Sequence, residues 1–319
     1  MKKILSLVIC LCSILSLSAC GAQSEKGTKI KVVTTVFPIY DWMRNIVGDS
    51  ENVEITMLLD NGTDLHSFQP TAEDIIKIST CDMFIYVGGE SDKWVDDVLE
   101  EKQNSDMVSI NLLDLLGESR KQEEIKEGME VEEESEEAEE VEYDEHVWLS
   151  LKNASLFCLK INDELCKIDK SGAEGYKANA SSYSQKLSSI DKEYESALSN
   201  SASKTLVFGD RFPFRYLTDD YGLDYYAAFV GCSAESEASF ETVAFLAKKV
   251  DELGLKSIIK IEGSDGKLAN TIKENTKSKS AQILTLDSMQ SVTSKQIDKG
   301  VTYLKICEEN LEVLKKALG

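Results

Sequence analysis

Short runs of β-branched and apolar residues recur along this chain with helical segments between them, and this alternation constrains the fold more than any other feature. Lys31 to Phe37, Val53 to Leu59, Met83 to Val87 and Met107 to Ile110 form a first set of candidate strands. Thr205 to Phe208, Tyr225 to Phe229, Ser257 to Ile261 and Gln282 to Leu286 form a second. Short apolar strands separated by helices predict a parallel sheet covered on both faces, because only such a sheet buries both sides of each strand. Local signals agree. Pro38 stands where a first helix can begin and Gly48 where it can end. Thr71 and Asp74 have the spacing of a capping box for a helix running to Ser79, and Gly88-Gly89 closes the third strand. Between the two sets, Gly175 to Leu198 carries Tyr, Leu and Ile at helical spacing, long enough to cross from one domain to another. Helices are also expected around Phe240 to Leu253, Leu268 to Asn275 and Ser294 to Leu318. The expected fold is therefore α/β: two similar domains with mainly parallel sheets flanked by helices, joined by one long crossing helix. Residues 29–172 make the first domain, 173–202 the connection and 203–319 the second.

The N-terminus reads as an address. Lys2 and Lys3 precede an apolar run from Ile4 to Leu17, too short and too early for a stable spanning helix. Leu17-Ser18-Ala19-Cys20 then matches a lipoprotein signal. Residues 1–19 would be removed, Cys20 would take the lipid, and residues 20–28 would tether the body to the outer side of the cell membrane. The net charge of −22 argues against nucleic acid as a partner, since phosphates need a basic surface. Much of that charge lies between Glu118 and Glu145, where a glutamate-rich run is expected to form a disordered loop inserted in the first domain. Beyond Cys20, Cys81, Cys158, Cys166, Cys232 and Cys307 remain. They form no CxxC pair, so a cysteine zinc cluster has no support, and buried inert thiols are expected, with disulfide pairing left open.

Only two histidines occur, His66 and His146, each in a short polar segment. Composition alone favours an ordinary surface or core role for either, although neutral imidazole suits zinc and two such loops can converge at strand ends. Around His66, the residues Asp64, His66, Pro70 and Asp74 resemble the D-x-H-x-x-x-P-x-x-x-D loop of the zinc- and manganese-binding lipoproteins of ABC importers (the cluster A-I solute-binding proteins). Asp144-Glu145-His146-Val147-Trp148-Leu149 resembles the D-x-H-x-W-L motif of the same family, and the likeness runs from Ile30 to Leu318, including Tyr221-Gly222-Leu223 and Leu286-Asp287.

This resemblance implies that His66 and His146 are imidazole ligands from the first domain and Asp287 a carboxylate ligand from the second. Many members carry a further His or Glu after the first strand of the second domain. Here that segment reads Val207-Phe208-Gly209-Asp210-Arg211-Phe212, with Gly209 at the expected ligand position. Asp210 is the neighbouring substitute, Glu262 a weaker one, and water a third option. Such a nitrogen and oxygen set fits Zn2+, with Mn2+ as the alternative cargo. The implied protein is a monomeric carrier without catalytic turnover, binding its ion between two domains and passing it to an ABC importer permease. The glutamate-rich insert stands where zinc-specific relatives often have a histidine-rich loop; it is either a solvated charge run or a weak collector of divalent cations. A secreted metallo-hydrolase would need a metal-adjacent general base such as that of HExxH, which is absent from the sequence, and there is no GxSxG nucleophile motif. A surface adhesion lipoprotein is a further class, for which no repeat or exposed aromatic motif speaks.

Overall fold

The computed structural model describes residues 29–130, 142–233 and 237–319. The expected signal, the tether and Cys20 lie outside them, as does the centre of the acidic insert. Among the described residues, no helix is long and apolar enough to cross a membrane.

The first domain runs β1 (Ile30–Thr34), α1 (Phe37–Val47), β2 (Val53–Met57), α2 (Ala72–Ser79), β3 (Met83–Tyr86), α3 (Trp94–Glu100), β4 (Val108–Asn111) and α4 (Leu112–Leu116). Its four strands are parallel in the order β2-β1-β3-β4. Two helices follow, α5 (Leu151–Ile168) and α6 (Ala173–Ser199). The second domain runs β5 (Thr205–Phe212), α7 (Arg215–Asp220), β6 (Asp224–Val230), α8 (Phe240–Glu252), β7 (Ser257–Ile261), α9 (Lys267–Asn275), β8 (Gln282–Leu286), α10 (Ser294–Asp298) and α11 (Tyr303–Leu318). Its sheet, β6-β5-β7-β8, repeats the order of the first and is again parallel. In such sheets the connections after the carboxyl ends of the strands gather at one edge, which is where open α/β folds place ligands.

Local chemistry sets the boundaries. The Thr71 hydroxyl accepts from the Asp74 amide while the Asp74 carboxylate accepts from the Thr71 amide, so the expected capping box is formed. Ser150, Ser239 and Thr302 cap α5, α8 and α11 more simply, each hydroxyl accepting one amide of the first turn. The single helix expected over Ser294 to Leu318 is two. Gly300 adopts φ +88°, outside the helical region, and Thr302 then opens α11 by accepting from the Lys305 amide.

The disorder expected for 118–145 does not extend to the ends of that segment. Gln122 and Tyr143 form an antiparallel bridge, the Asp144 amide donates to the Lys121 carbonyl at 2.9 Å, and the Glu123 amide to the Glu142 carbonyl at 3.1 Å. The same stretch docks on the second domain: the Lys121 amide donates to the Tyr216 hydroxyl at 3.0 Å and the Glu130 amide to the Ala228 carbonyl at 2.9 Å. Lys126 pairs with Asp224, and Met129 is buried. Composition missed this because backbone pairing, a few cations and one methionine anchor the ends without an apolar run.

Helix α6 ties the domains together. Near its start Asn179 donates to the Ile46 carbonyl at 3.1 Å, and near its end the Tyr194 hydroxyl donates to the Cys307 carbonyl at 2.6 Å. Helix α11 returns from the second domain to the first, where the Tyr303 amide donates to Asp41 at 3.2 Å and the Tyr303 hydroxyl to the Trp148 carbonyl at 2.6 Å. One hydrophobic cluster accordingly includes Trp42 and Phe157 from the first side and Phe208, Tyr303 and Leu314 from the second. A core shared in this way resists wide hinge opening.

Candidate metal centre

His66 sits in the connection after β2. Its turn, Leu65–Ser67, is capped by Asp64, whose Oδ1 accepts from the His66 amide at 3.0 Å. The other Asp64 oxygen pairs with Arg211, which comes from β5 in the second domain. The ring Nδ1 lies 2.8 Å from Ser91 Oγ and 3.4 Å from Glu145 Oε2. Glu145 is buried, and among the described residues its Oε2 has no hydrogen-bond partner. It is held in place by the Ser91 amide, which donates to Oε1 at 2.8 Å. Gly89, at φ +83°, lets this loop pass close: a Cβ there would come within 2.4 Å of Glu145 Oε1.

His146 follows the insert and is fully buried. Asp144 Oδ1 accepts from its amide at 2.9 Å and lies 3.2 Å from its Nδ1. The indole of Trp148 packs edge-on at 5.3 Å between ring centroids and donates from Nε1 to the Ser288 carbonyl at 2.9 Å. With the Asp144 carboxylate at its Nδ1, His146 is set to carry its proton there and to offer a lone pair on Nε2, and the Ser91 hydroxyl and Glu145 carboxylate beside His66 Nδ1 favour the same tautomer for that ring. The two Nε2 atoms face each other at 3.1 Å. Two ring nitrogens at this distance share either a proton or a cation placed between or beside them. A tetrahedral zinc ion with Zn–N bonds of ~2.0–2.1 Å would set its nitrogens about 3.3 Å apart, within a few tenths of the spacing found.

Electrostatics favours one positive charge at most on this pair. Burial pushes His66 down to about 3, helped by His146 and Arg211 and opposed by Asp64. Burial also acts against the charged form of His146, but Asp144, through its charge and hydrogen bond, and Glu145 outweigh it and raise that ring above its ordinary value. A divalent ion would take the place of the shared proton.

The carboxylates named from the sequence lie in the second domain, Asp210 within β5 and Glu262 and Asp287 just after β7 and β8. Asp210 Oδ1 accepts from the Arg211 amide at 3.0 Å and Oδ2 from the Ile261 amide at 3.3 Å, so its oxygens are engaged by the sheet edge. Asp287 follows β8, and its Oδ1 accepts from the Met289 amide at 2.7 Å. Burial, and then the Glu262 carboxylate, push Asp287 up to about 7. Glu262 itself accepts from the Ser288 amide and hydroxyl, each at 2.7 Å. The Trp148–Ser288 bond ties this acidic turn to the His146 segment. At Gly209 a Cβ would lie 2.6 Å from the Ala269 Cα, so a side chain there would run into α9. Glycine at 209 is a packing requirement of that contact.

Among the described residues, the group of His, Cys, Asp or Glu side chains whose ligand atoms all lie within 4.8 Å of one another is His66, His146 and Cys232. Neither Asp210 nor Asp287 belongs to it. Cys232 differs from the buried thiol expected there in being half-buried and in lying beside both imidazoles. No local motif marks it, because its placement depends on the turn after β6 meeting the His146 loop of the other domain.

Two like parallel α/β domains, tied by a stiff helix and closing on paired imidazoles at their strand ends, define a two-domain solute-binding protein. The chain belongs to the family described as zinc-uptake complex component A, periplasmic (ZnuA), which matches residues 32–317. It is 33% identical over 322 residues to the zinc-binding lipoprotein AdcA of Streptococcus pneumoniae, covering 99% of this chain and 61% of that protein's length. It is 30% identical over 327 residues to the high-affinity zinc uptake system protein ZnuA of Bacillus subtilis, covering 99% of this chain and 98% of that one. The Zn(II)-bound ZnuA-like domain of S. pneumoniae AdcA is similar in structure, with a TM-score of 0.72 and 28% identity over 91% of this chain and 99% of that one.

Proposed function

We propose that this chain captures a zinc ion between its two domains and delivers it to an ABC importer permease. The observation that carries this reading is the buried His66–His146 pair, with Nε2 atoms 3.1 Å apart and an oxygen acceptor behind each Nδ1. Imidazole oriented in this way is a strong ligand for zinc and a weaker one for manganese, which prefers oxygen. The zinc-named relatives support the same choice over the manganese alternative. Asp287, raised and tied through Ser288 to the His146 segment, is the carboxylate the second domain would offer; Asp210 is the lesser candidate, because both its oxygens already accept backbone bonds. Attachment through a lipid on Cys20 would keep the carrier at the outer membrane face beside its permease, and the protein would work as a monomer. The shared core between the domains supports delivery by a small local rearrangement rather than wide opening.

A competition titration of zinc against manganese, run beside the His66→Ala, His146→Ala double variant, tests this. Tight one-to-one zinc binding that resists manganese and is lost in the variant is the expected result. Manganese displacing zinc, or zinc binding unchanged in the variant, would refute it.

A further inference from the structure

We propose that Cys232 is a metal ligand of this site, closing on the ion as a thiolate beside His66 and His146; this rests on the proposed zinc site. The thiol sulfur and the imidazole nitrogens already lie within 4.8 Å of one another. Bond lengths of ~2.3 Å to sulfur and ~2.0–2.1 Å to nitrogen in a tetrahedral site would bring sulfur and nitrogen to roughly 3.6 Å. The required movement is therefore on the order of 1 Å, within reach of a side-chain rotation.

The turn that carries the thiol is built for this approach. At Gly231 a Cβ would stand 2.9 Å from the Phe212 carbonyl oxygen and 3.1 and 3.2 Å from Cε1 and Nδ1 of His146. Glycine at 231 thus lets the backbone lie against the imidazole, and the next residue is set beside the pair. The Cys232 amide donates to Glu123 Oε1 at 3.1 Å, which anchors the turn to the ordered end of the acidic insert. The other described cysteines sit elsewhere: Cys81 donates to the Met107 sulfur at 3.5 Å, Cys166 lies near Asn162 and Ala173, and Cys158 and Cys307 are buried.

Ligation balances simply. The thiol loses one proton to solvent, with the Glu123 carboxylate at hand as first acceptor, and the sulfur donates the freed electron pair to the ion. A two-nitrogen, one-sulfur set leaves a fourth position for Asp287 or water. It also shifts selectivity, since thiolate favours zinc and disfavours manganese. A soft ligand at this point would replace the third His or Glu that the family resemblance leads one to expect.

Cobalt(II) reports sulfur ligation directly. The purified protein titrated with one equivalent of cobalt should develop a thiolate-to-cobalt charge-transfer band in the near ultraviolet. Cys232→Ser and Cys232→Ala should lose that band, still bind one cobalt ion through the imidazoles, and hold zinc at least tenfold more weakly. Zinc should also protect Cys232 from alkylation, located by peptide mass spectrometry, a readout that needs no variant. If the unaltered protein binds one cobalt ion with no such band and Cys232 alkylates as fast with zinc as without, Cys232 is not a ligand and the histidine site stands without it. If the protein binds neither metal, the proposed function fails and Cys232 ligation with it.

Discussion

Asp144→Asn tests how far the metal affinity depends on orienting an imidazole rather than on the ligand itself. Asp144 is almost wholly buried and places one oxygen, Oδ1, 2.9 Å from the His146 amide and 3.2 Å from Nδ1. Asparagine keeps the shape and can still present an oxygen to the ring, but it removes the charge that makes the imidazole more basic. Loss of an outer partner of this type typically weakens metal binding 10–100-fold. At 1.4 kcal/mol per decade, that is about 1.4–2.8 kcal/mol. Asp144→Ala also strips the acceptor from the His146 amide, so it should fall at the weak end and lose thermal stability without metal as well. Affinity would be read by competition with a chromophoric chelator at fixed pH, and metal-free stability by thermal unfolding. A change below threefold in Asp144→Asn, with the fold intact, would refute the assignment of Asp144 as an orienting group.

Zinc at one hundred times its Kd should stabilise the fold by about 2.7 kcal/mol. For a chain of this size that is a rise in Tm of roughly 4–5 °C, which a chelator should reverse, and an unchanged Tm would speak against a folded-state site. Trp148→Phe removes the 2.9 Å bond to the Ser288 carbonyl and should cost about 1–2 kcal/mol in urea unfolding while speeding zinc release. Asp169 accepts from Ser171, Gly172, Tyr176 and Asn52 where α5 gives way to α6. Burial alone would raise its carboxyl, but hydrogen bonds from Ser171, Tyr176 and Asn52 hold it below its ordinary 3.8. A depressed folded value means that its stabilisation is present above about pH 4 and fades as pH falls toward that lower value. Asp169→Asn should therefore lose about 2 kcal/mol at pH 7, with the gap from wild type narrowing progressively below pH 4.

The strands were legible where their chemistry is uniform. Ser257–Ile261 and Gln282–Leu286 appear in the structure with the boundaries expected from the sequence. β5 runs on to Phe212 through Gly209, Asp210 and Arg211, because pairing with β6 resumes at Arg211 after an irregularity, which no local propensity signals. Helices α3, α4 and α7 are five to seven residues long, too short to show a period. At the site, each histidine carried a motif because its neighbours, Asp64 and Asp144, act on it through local bonds. Cys232 carried none: it meets the histidines only through the packing of two domains, and Gly231, which permits that packing, is one unremarked glycine among 18.

Arg211 poses a problem for a cation carrier, since it brings a positive charge from the second domain to the edge of the histidine pair. Its partner Asp64 caps the His66 turn and has Oδ1 4.0 Å from His66 Nε2. Two effects oppose each other when Arg211 becomes Gln. The pair between domains is lost, but both groups are partly exposed, and such pairs contribute only about 0–1 kcal/mol. The Asp64 charge, no longer neutralised, then faces the ion. Unit charges 4 Å apart interact by about 4 kcal/mol at an effective dielectric of 20, and solvent access reduces this to about 1–2 kcal/mol. The electrostatic gain exceeds the lost pair, so Arg211→Gln should bind zinc about tenfold more tightly and release it more slowly in stopped-flow chelator competition. Arg211 would then serve release, keeping affinity low enough for the ion to be handed on. Weaker binding in the variant would mean instead that Arg211 acts as a latch holding the two domains over the ion.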